Sequence, residues 1–191
     1  MNTSILLLGA GFSRRFGSDK RLHKIDGQPV AAITIAKYQS VFEDVTVVIR
    51  PEDTELKTLL ADLGCKSVQA QDAHLGMGHS LASGVRHIQC KRRWLIIGLL
   101  DMPFIKRASL TTMQETLIAE PKEWLVTRFS SPPGAEPAHP IAWHEKTHTE
   151  LAACRGDQGA RLLLQKYADR TLWLHIDDQG LYRDIDHPED I

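Results

Sequence analysis

Cysteine is scarce in this chain. Cys65, Cys90 and Cys154 are three isolated residues with no CxxC spacing, which speaks against a disulfide framework and a structural zinc site. No apolar run approaches eighteen residues, and no charged segment leads into an apolar one near the start. Neither a membrane span nor a secretory leader is expected, and the protein is read as cytoplasmic. Net charge is nearly absent as well. The 23 Lys and Arg against 24 Asp and Glu leave −1 at pH 7, too little positive charge for a general nucleic-acid binder. The nine histidines show no H-E-x-x-H spacing, so a catalytic zinc is not expected. With no internal repeat, low-complexity run or linker, residues 1–191 are expected to form one domain.

The informative stretch is 6–20. An apolar run over 5–8 reads as a buried strand. It breaks into Gly9-Ala10-Gly11, where small residues let backbone N–H groups come close to a ligand. Ser13, Arg14, Arg15 and Lys20 follow, all able to donate hydrogen bonds to phosphate. Two familiar phosphate motifs fail here. The dinucleotide pattern G-x-G-x-x-G requires glycine where Arg14 stands, and the Walker A spacing is wrong because Gly17 is followed by Ser18. Strand, glycine turn and cationic loop together suit a nucleoside triphosphate. An ordinary strand-to-helix turn with solvated arginines fits the spacing equally well.

Further along, helical spacing covers 29–42, and the β-branched run 45–49 reads as a buried strand. Asp53 is expected to cap a helix through residue 63, closed by Gly64. A short strand is expected at 66–69, a helix at about 80–89, and a buried strand at 94–99 ending on Asp101. Ser109 is expected to cap a helix to about 119. Strands are expected at 124–128 and 140–143, helices at 145–154 and 158–167, and a last strand at 171–176. Residues 130–140 hold four prolines and a glycine, which excludes regular structure there and suits a lid or acceptor loop. Alternating buried strands and helices predict an α/β fold, a three-layer α/β/α sandwich. In such sheets ligands sit beyond the carboxyl ends of the strands.

Asp101 ends the most hydrophobic strand, where an acid is avoided unless it meets a cleft or a partner. A carboxylate there is placed to hold Mg²⁺, or to serve only a turn. Asp184 and Asp186 are two apart and would point the same way on an extended segment. A C-terminal cap with solvated acids accounts for them too. Gly76 and Gly78, ahead of Ser80, could expose backbone to a base and ribose, or merely start a helix.

The stretch Leu-x-Ala-Gly-x-Ser-x-Arg-Phe-Gly-x-x-Lys resembles the signature loop of the molybdenum cofactor nucleotidyltransferases, most of all the cytidylyltransferase group. In the written pattern Gly9 occupies a position where alanine is commoner in the cytidylyl group, and glycine occurs near it in the guanylyl group. Gly98 to Pro103 is similar to the family's Gly-Asp-x-Pro metal segment. Residues 184–190 resemble its Asp-Ile-Asp-Thr-Pro-Glu-Asp element, with His187 in place of threonine. Leu75 to Leu81 is similar to pyrimidine-contacting stretches of cytidylyl and uridylyl enzymes. His139-Pro140-Ile141, with Ala138 where glycine is usual, and Gly156 to Arg161 resemble two further family segments.

The resemblance implies a mostly parallel, Rossmann-like sheet of the nucleotide-diphospho-sugar transferase type. It implies nucleotide contacts from Leu8, Gly9, Ala10, Gly11, Ser13, Arg15, Lys20, Gly76, Gly78 and Ser80. Arg15, Lys20 and Asp101 would be catalytic, and Asp101 and Asp186 would bind Mg²⁺. His139, Pro140, Asp157 and Arg161 would lie on the acceptor side. The implied reaction moves CMP from CTP to a phosphorylated, pterin-type acceptor, the molybdenum cofactor, and releases pyrophosphate. GTP with the same cofactor, another phosphorylated acceptor, or a carrier that delivers cofactor to a molybdoenzyme are the alternatives. Neither nucleic acid nor membrane is an expected partner.

Overall fold

The computed structural model describes residues 3–13, 15–88, 92–119, 123–130 and 138–190. Arg14, Cys90 and residues 131–137 of the lid expected at 130–140 lie outside the described residues. The chain begins with β1 (Thr3–Leu8), a small hairpin of β2 (Lys24–Ile25) and β3 (Gln28–Pro29), α1 (Val30–Gln39), β4 (Val45–Ile49) and α2 (Thr54–Asp62). It continues with β5 (Lys66–Gln69), α3 (Met77–Ile88), β6 (Trp94–Leu99), α4 (Arg107–Ile118) and β7 (Val126–Phe129). It closes with β8 (Ile141–His144), α5 (His148–Leu151), α6 (Arg161–Lys166) and β9 (Thr171–Leu174).

Seven strands form one sheet in the order β5-β4-β1-β6-β8-β7-β9. The central strands carry apolar side chains on both faces and are buried almost throughout, the pattern of a sheet covered by helices on two sides. One face packs on α1, α2 and α4 through Ile35, Tyr38, Leu56, Leu60, Leu110 and Met113. The other packs on α3, α5 and α6 through Leu81, Val85, Leu151 and Leu163. The α/β three-layer expectation is met, with a mostly parallel sheet. The exception is β8, antiparallel to both β6 and β7. A parallel return would need a crossover connection of about a dozen residues or more, commonly a helix, and only residues 130–140 separate β7 from β8.

Several boundaries differ from the sequence expectation. α3 starts at Met77, not near Ser80. The helix expected at 145–154 is a 3₁₀ turn (Glu145–Thr147) followed by α5, its turn tightened by the Thr147 hydroxyl donating to the His144 carbonyl at 2.8 Å. Asp53 stands at the N-cap position of α2, as expected, whereas Ser109 does not cap α4. Asp53 makes no capping hydrogen bond, because two arginines take its carboxylate. Ser109 lies inside α4 and donates to Asp178 at 2.5 Å. Among the described residues, no helix is long and apolar enough to cross a membrane.

Candidate active site

A cavity of about 410 Å³ opens beyond the carboxyl ends of β1 and β6. Its wall is the glycine loop: Leu8, Gly9, Ala10, Gly11 and Ser13 all line it. The Gly9 N–H donates to the Val48 carbonyl at 2.9 Å and anchors the loop to β4. Among the described residues the N–H groups of Ala10 and Gly11 make no backbone hydrogen bond, so they remain available to a ligand. Ser13 has a left-handed backbone (φ 49), and its hydroxyl is buried without a hydrogen-bond partner. An orphaned hydroxyl in a cavity wall fits a polar ligand. The first turn of α3 adds Met77 and the buried Ser80, bringing the positive end of a helix dipole to the same space.

Opposite the loop, Asp101, Asp184 and Asp186 come together with one oxygen of each within 4.8 Å of the others. Lys20 joins them. Its ammonium lies 2.6 Å from Asp101 Oδ2 and 2.9 Å from Asp186 Oδ1, and Arg15 reaches Asp186 Oδ2 at 2.6 Å. Burial by itself would lower the Lys20 pKa, but Asp101 and Asp186 outweigh it and raise it. Asp186 is held below its ordinary value, chiefly by the hydrogen bond from Lys20. Asp184 is pushed up, first by burial and then by the charge of Asp101. Three converging carboxylate oxygens make a hard donor set, the kind that suits Mg²⁺ or Mn²⁺.

Beneath the loop lies Arg21, which belongs to none of the sequence motifs. The Arg21 side chain is 2% exposed. Its guanidinium donates to the Gly9 carbonyl, to both oxygens of Asp53 at 2.6 and 2.7 Å, and to Asp19 at 2.7 and 2.5 Å. Arg50 completes the group at 2.5 Å from Asp53 and stacks on Phe12 at 4.9 Å. Burial pushes the Asp53 carboxyl up, but Arg21 and Arg50 override it and bring the group down to about 2. This network fixes the loop from below. Nothing in the sequence distinguished Arg21 from its solvated neighbours, because the partners that bury it, the Gly9 carbonyl and Asp53, stand 12 and 32 residues away.

Three glycines gain a packing cause. A β-carbon on Gly9 would lie 2.5 Å from Leu100 Cδ2 and 3.1 Å from the Val48 carbonyl oxygen. Glycine at position 9 therefore follows from Leu100 and tells little about the base. Gly78 accommodates the Arg155 backbone, 2.6 Å from where its β-carbon would stand, and Gly76 accommodates Gly156 in the same way. The Gly78 N–H donates to the Gly156 carbonyl at 2.7 Å, so the 75–78 and 155–157 turns are joined through their backbones.

The structure brings ten of the sequence-derived residues into the cavity wall: Leu8, Gly9, Ala10, Gly11, Ser13, Arg15, Lys20, Ser80, Asp101 and Asp186. Gly76 and Asp157 line a smaller adjoining depression that shares Phe12 and Ser13. Gly78 lines neither. His139 and the buried Pro140 sit at the start of β8, and the exposed Arg161 opens α6; none of the three lines the cavity. His139 keeps some residue surface while its Nδ1 is enclosed and unpartnered. Burial pushes its imidazole down to about 4, opposed by a backbone group of Ile97 and assisted by Arg128.

Residues 5–171 match the pattern of the MobA-like NTP transferase domain. The chain belongs to that family. It is a nucleotidyltransferase, and a nucleoside triphosphate is the substrate expected of a MobA-like transferase. Among similar proteins is the purine catabolism protein PucB of Bacillus subtilis, 29% identical over 195 residues, covering 97% of this chain and 92% of that one. Another is a protein of Aquifex aeolicus named as a probable molybdenum cofactor guanylyltransferase, 24% identical, covering all of this chain and 82% of that one. The fold is shared with Rv0371c of Mycobacterium tuberculosis at TM-score 0.82 and 22% identity, covering 98% and 94% of the two chains. A structure of Rv0371c with manganese superposes at TM-score 0.78 and 20% identity, covering 100% and 96%.

Proposed function

We propose that this MobA-like transferase moves CMP from CTP to a phosphorylated pterin-type acceptor, the molybdenum cofactor, with Mg²⁺ as its metal. The observation that carries this reading is Lys20 set between Asp101 and Asp186, facing a glycine loop in which, among the described residues, the Ala10 and Gly11 N–H groups and the Ser13 hydroxyl have no hydrogen-bond partner. An oxygen of the acceptor's terminal phosphate attacks the α-phosphorus of CTP. The bond from that phosphorus to the bridging oxygen of the β-phosphate breaks, and pyrophosphate leaves. A phosphate nucleophile is already anionic at neutral pH, so alignment and charge neutralisation supply the catalysis. Asp101, Asp186 and Asp184 would hold the divalent cation, which when bound supplies positive charge at the reacting phosphates. The manganese in the related Rv0371c structure supports a divalent metal of this kind. The loop amides and Ser13 orient the triphosphate. Arg15 and Lys20 meet the charge that develops on pyrophosphate.

The choice of CTP rests on the resemblance of the signature loop to the cytidylyl group and of residues 75–81 to pyrimidine-contacting stretches. Guanylyl transfer is the second reading, favoured by the names of two curated relatives. A thermal-shift series with CTP, GTP, ATP and UTP in Mg²⁺ separates them, since a ligand of the native state raises the melting temperature. Stabilisation by CTP that disappears in Asp101→Ala supports cytidylyl transfer. A larger shift with GTP transfers the assignment to guanylyl transfer, and no shift with any triphosphate removes the nucleotidyl reading of the cavity.

A further inference from the structure

Two of the three carboxylates in the acidic trio sit on a stretch without regular structure. Asp101 follows directly on β6, which is paired in the middle of the sheet. Asp184 and Asp186 lie in residues 182–187, which belong to no helix or strand. The chain reaches them from β9, at the edge of the sheet, by passing the start of β8 to the end of β6. No strand ladder therefore sets the distance from Asp101 to the other two. The charges of Asp101 and Asp184 also oppose each other, so their approach has to be held from elsewhere.

A buried carboxylate upstream of both acids supplies that hold. Asp178 is 1% exposed and makes none of its hydrogen bonds to the trio. Its Oδ2 accepts from the Lys106 backbone N–H at 2.8 Å and from the Ser109 hydroxyl at 2.5 Å. Its Oδ1 accepts from the Gly180 N–H at 2.9 Å. Lys106 is the N-cap residue of α4, so the carboxylate also meets the positive end of that helix. A carboxylate this deep is tolerated because its oxygens are met by donors. The Lys106 ammonium adds a hydrogen bond to the Asp177 carbonyl at 3.1 Å.

From Asp178 onward the tail runs along the turn that follows Asp101. A β-carbon on Gly180 would overlap the Phe104 carbonyl, so the two backbones are packed together. Arg183 lies over the Phe104 ring at 4.2 Å. The N–H of the buried Ile185 donates to the Asp101 carbonyl at 3.0 Å. The two segments are thus joined at both ends, Asp178 to the first turn of α4 and Ile185 to Asp101. Ile185 stands between Asp184 and Asp186, so this pairing carries directly into the acids.

We infer that Asp178 is a positioning residue for the metal site, fixing the tail to α4 so that Asp184 and Asp186 stand against Asp101. The inference rests on the metal-dependent transferase reading above. It adds a residue that lies in none of the motifs and outside the cavity wall. Groups that orient metal ligands from behind commonly change metal affinity by about ten- to a hundredfold when removed.

The test uses the full chain and Mn²⁺ as the probe, titrated in the calorimeter with and without a non-hydrolysable CTP analogue. Asp178→Asn keeps the shape of the side chain but turns an NH₂ group toward other donors. It should weaken Mn²⁺ binding about tenfold or more. Ser109→Ala removes one donor and leaves Asp178 in place, so it should weaken Mn²⁺ less, in the same direction. In both variants the Mg²⁺ concentration for half-maximal turnover should rise, while kcat at saturating Mg²⁺ should recover most of its wild-type value. Leu117→Ala, in the core beside the last turn of α4, controls for lost stability. It should lower the melting temperature and still bind Mn²⁺ as wild type does. Wild-type Mn²⁺ affinity in folded Asp178→Asn overturns the inference, and so does an equal loss in Leu117→Ala. Should Asp178→Asn not fold, unchanged Mn²⁺ affinity in Ser109→Ala overturns it. No Mn²⁺ binding to wild type in either condition is a different result: it removes the metal reading of the acidic trio, and the inference falls with it.

Discussion

Gly9 and Leu100 share one space: a β-carbon on the first would stand 2.5 Å from a methyl of the second. Gly9→Ala should destabilise the protein by about 1–3 kcal/mol through overpacking. Leu100→Ala should cost about 2–5 kcal/mol by leaving a cavity. The double variant should lose clearly less than the sum, because each change relieves the other. Urea denaturation of the four proteins reads this directly, and strict additivity would show that the two residues do not compete for room. Rescue should be incomplete, since the Val48 carbonyl also approaches Gly9.

Lys20 neutralises two carboxylates in the ligand-free protein. Lys20→Met should therefore act in opposite directions on two measurements. Turnover should fall by about a hundredfold or more, the scale of losing one charged donor to the transition state. Mn²⁺ binding without nucleotide should tighten, because the competing cation is gone. Weaker Mn²⁺ binding in the calorimeter would contradict this account of the ammonium.

Asp184 is the crowded member of the acidic trio, pushed up by burial and by Asp101. Asp184→Asn should raise the melting temperature of the metal-free protein while shifting the Mg²⁺ dependence of activity to higher concentration. Asp101→Asn should raise the Mg²⁺ requirement as well, but should gain less stability, since it also removes a partner of Lys20. A lower melting temperature for Asp184→Asn would show that its carboxylate is not under repulsion.

Asp53 links the loop to pH. Its folded-state pKa, near 2, lies below the ordinary 3.8. Its contribution is therefore fully present above the unfolded value and lost as pH falls through the folded one. The window runs from about pH 4 down to about pH 2, and the term is on the order of 2 kcal/mol. Asp53→Asn should be less stable at neutral pH and show a flatter acid limb. Parallel acid limbs in the two proteins would refute the linkage.

The sheet was largely legible because its strands are local signals. Residues 45–49 and 94–99 are continuous apolar or β-branched runs, and they are strands at those same positions. What escaped depends on distance along the chain. Asp53 looks like a helix cap until Arg21, 32 residues earlier, takes its carboxylate. Ser109 looks like another until Asp178, 69 residues later, accepts a hydrogen bond from its hydroxyl. The antiparallel β8 was hidden for the same reason, because strand direction is set by the route of the connection. In the candidate site, the loop and the acids were readable as motifs. Arg21 was not, since a single arginine after the loop has no pattern until the Gly9 carbonyl and Asp53 are beside it.

The backbone bond between Gly78 and Gly156 has a consequence for how the protein can diverge. The turn that opens α3 and the turn that leads into α6 are held face to face with no room for a side chain between them. Neither can be exchanged alone, since any residue with a β-carbon at 76 or 78 would force the other turn aside. Grafting residues 155–161 from a relative should therefore yield a working hybrid only when residues 75–78 come from the same parent.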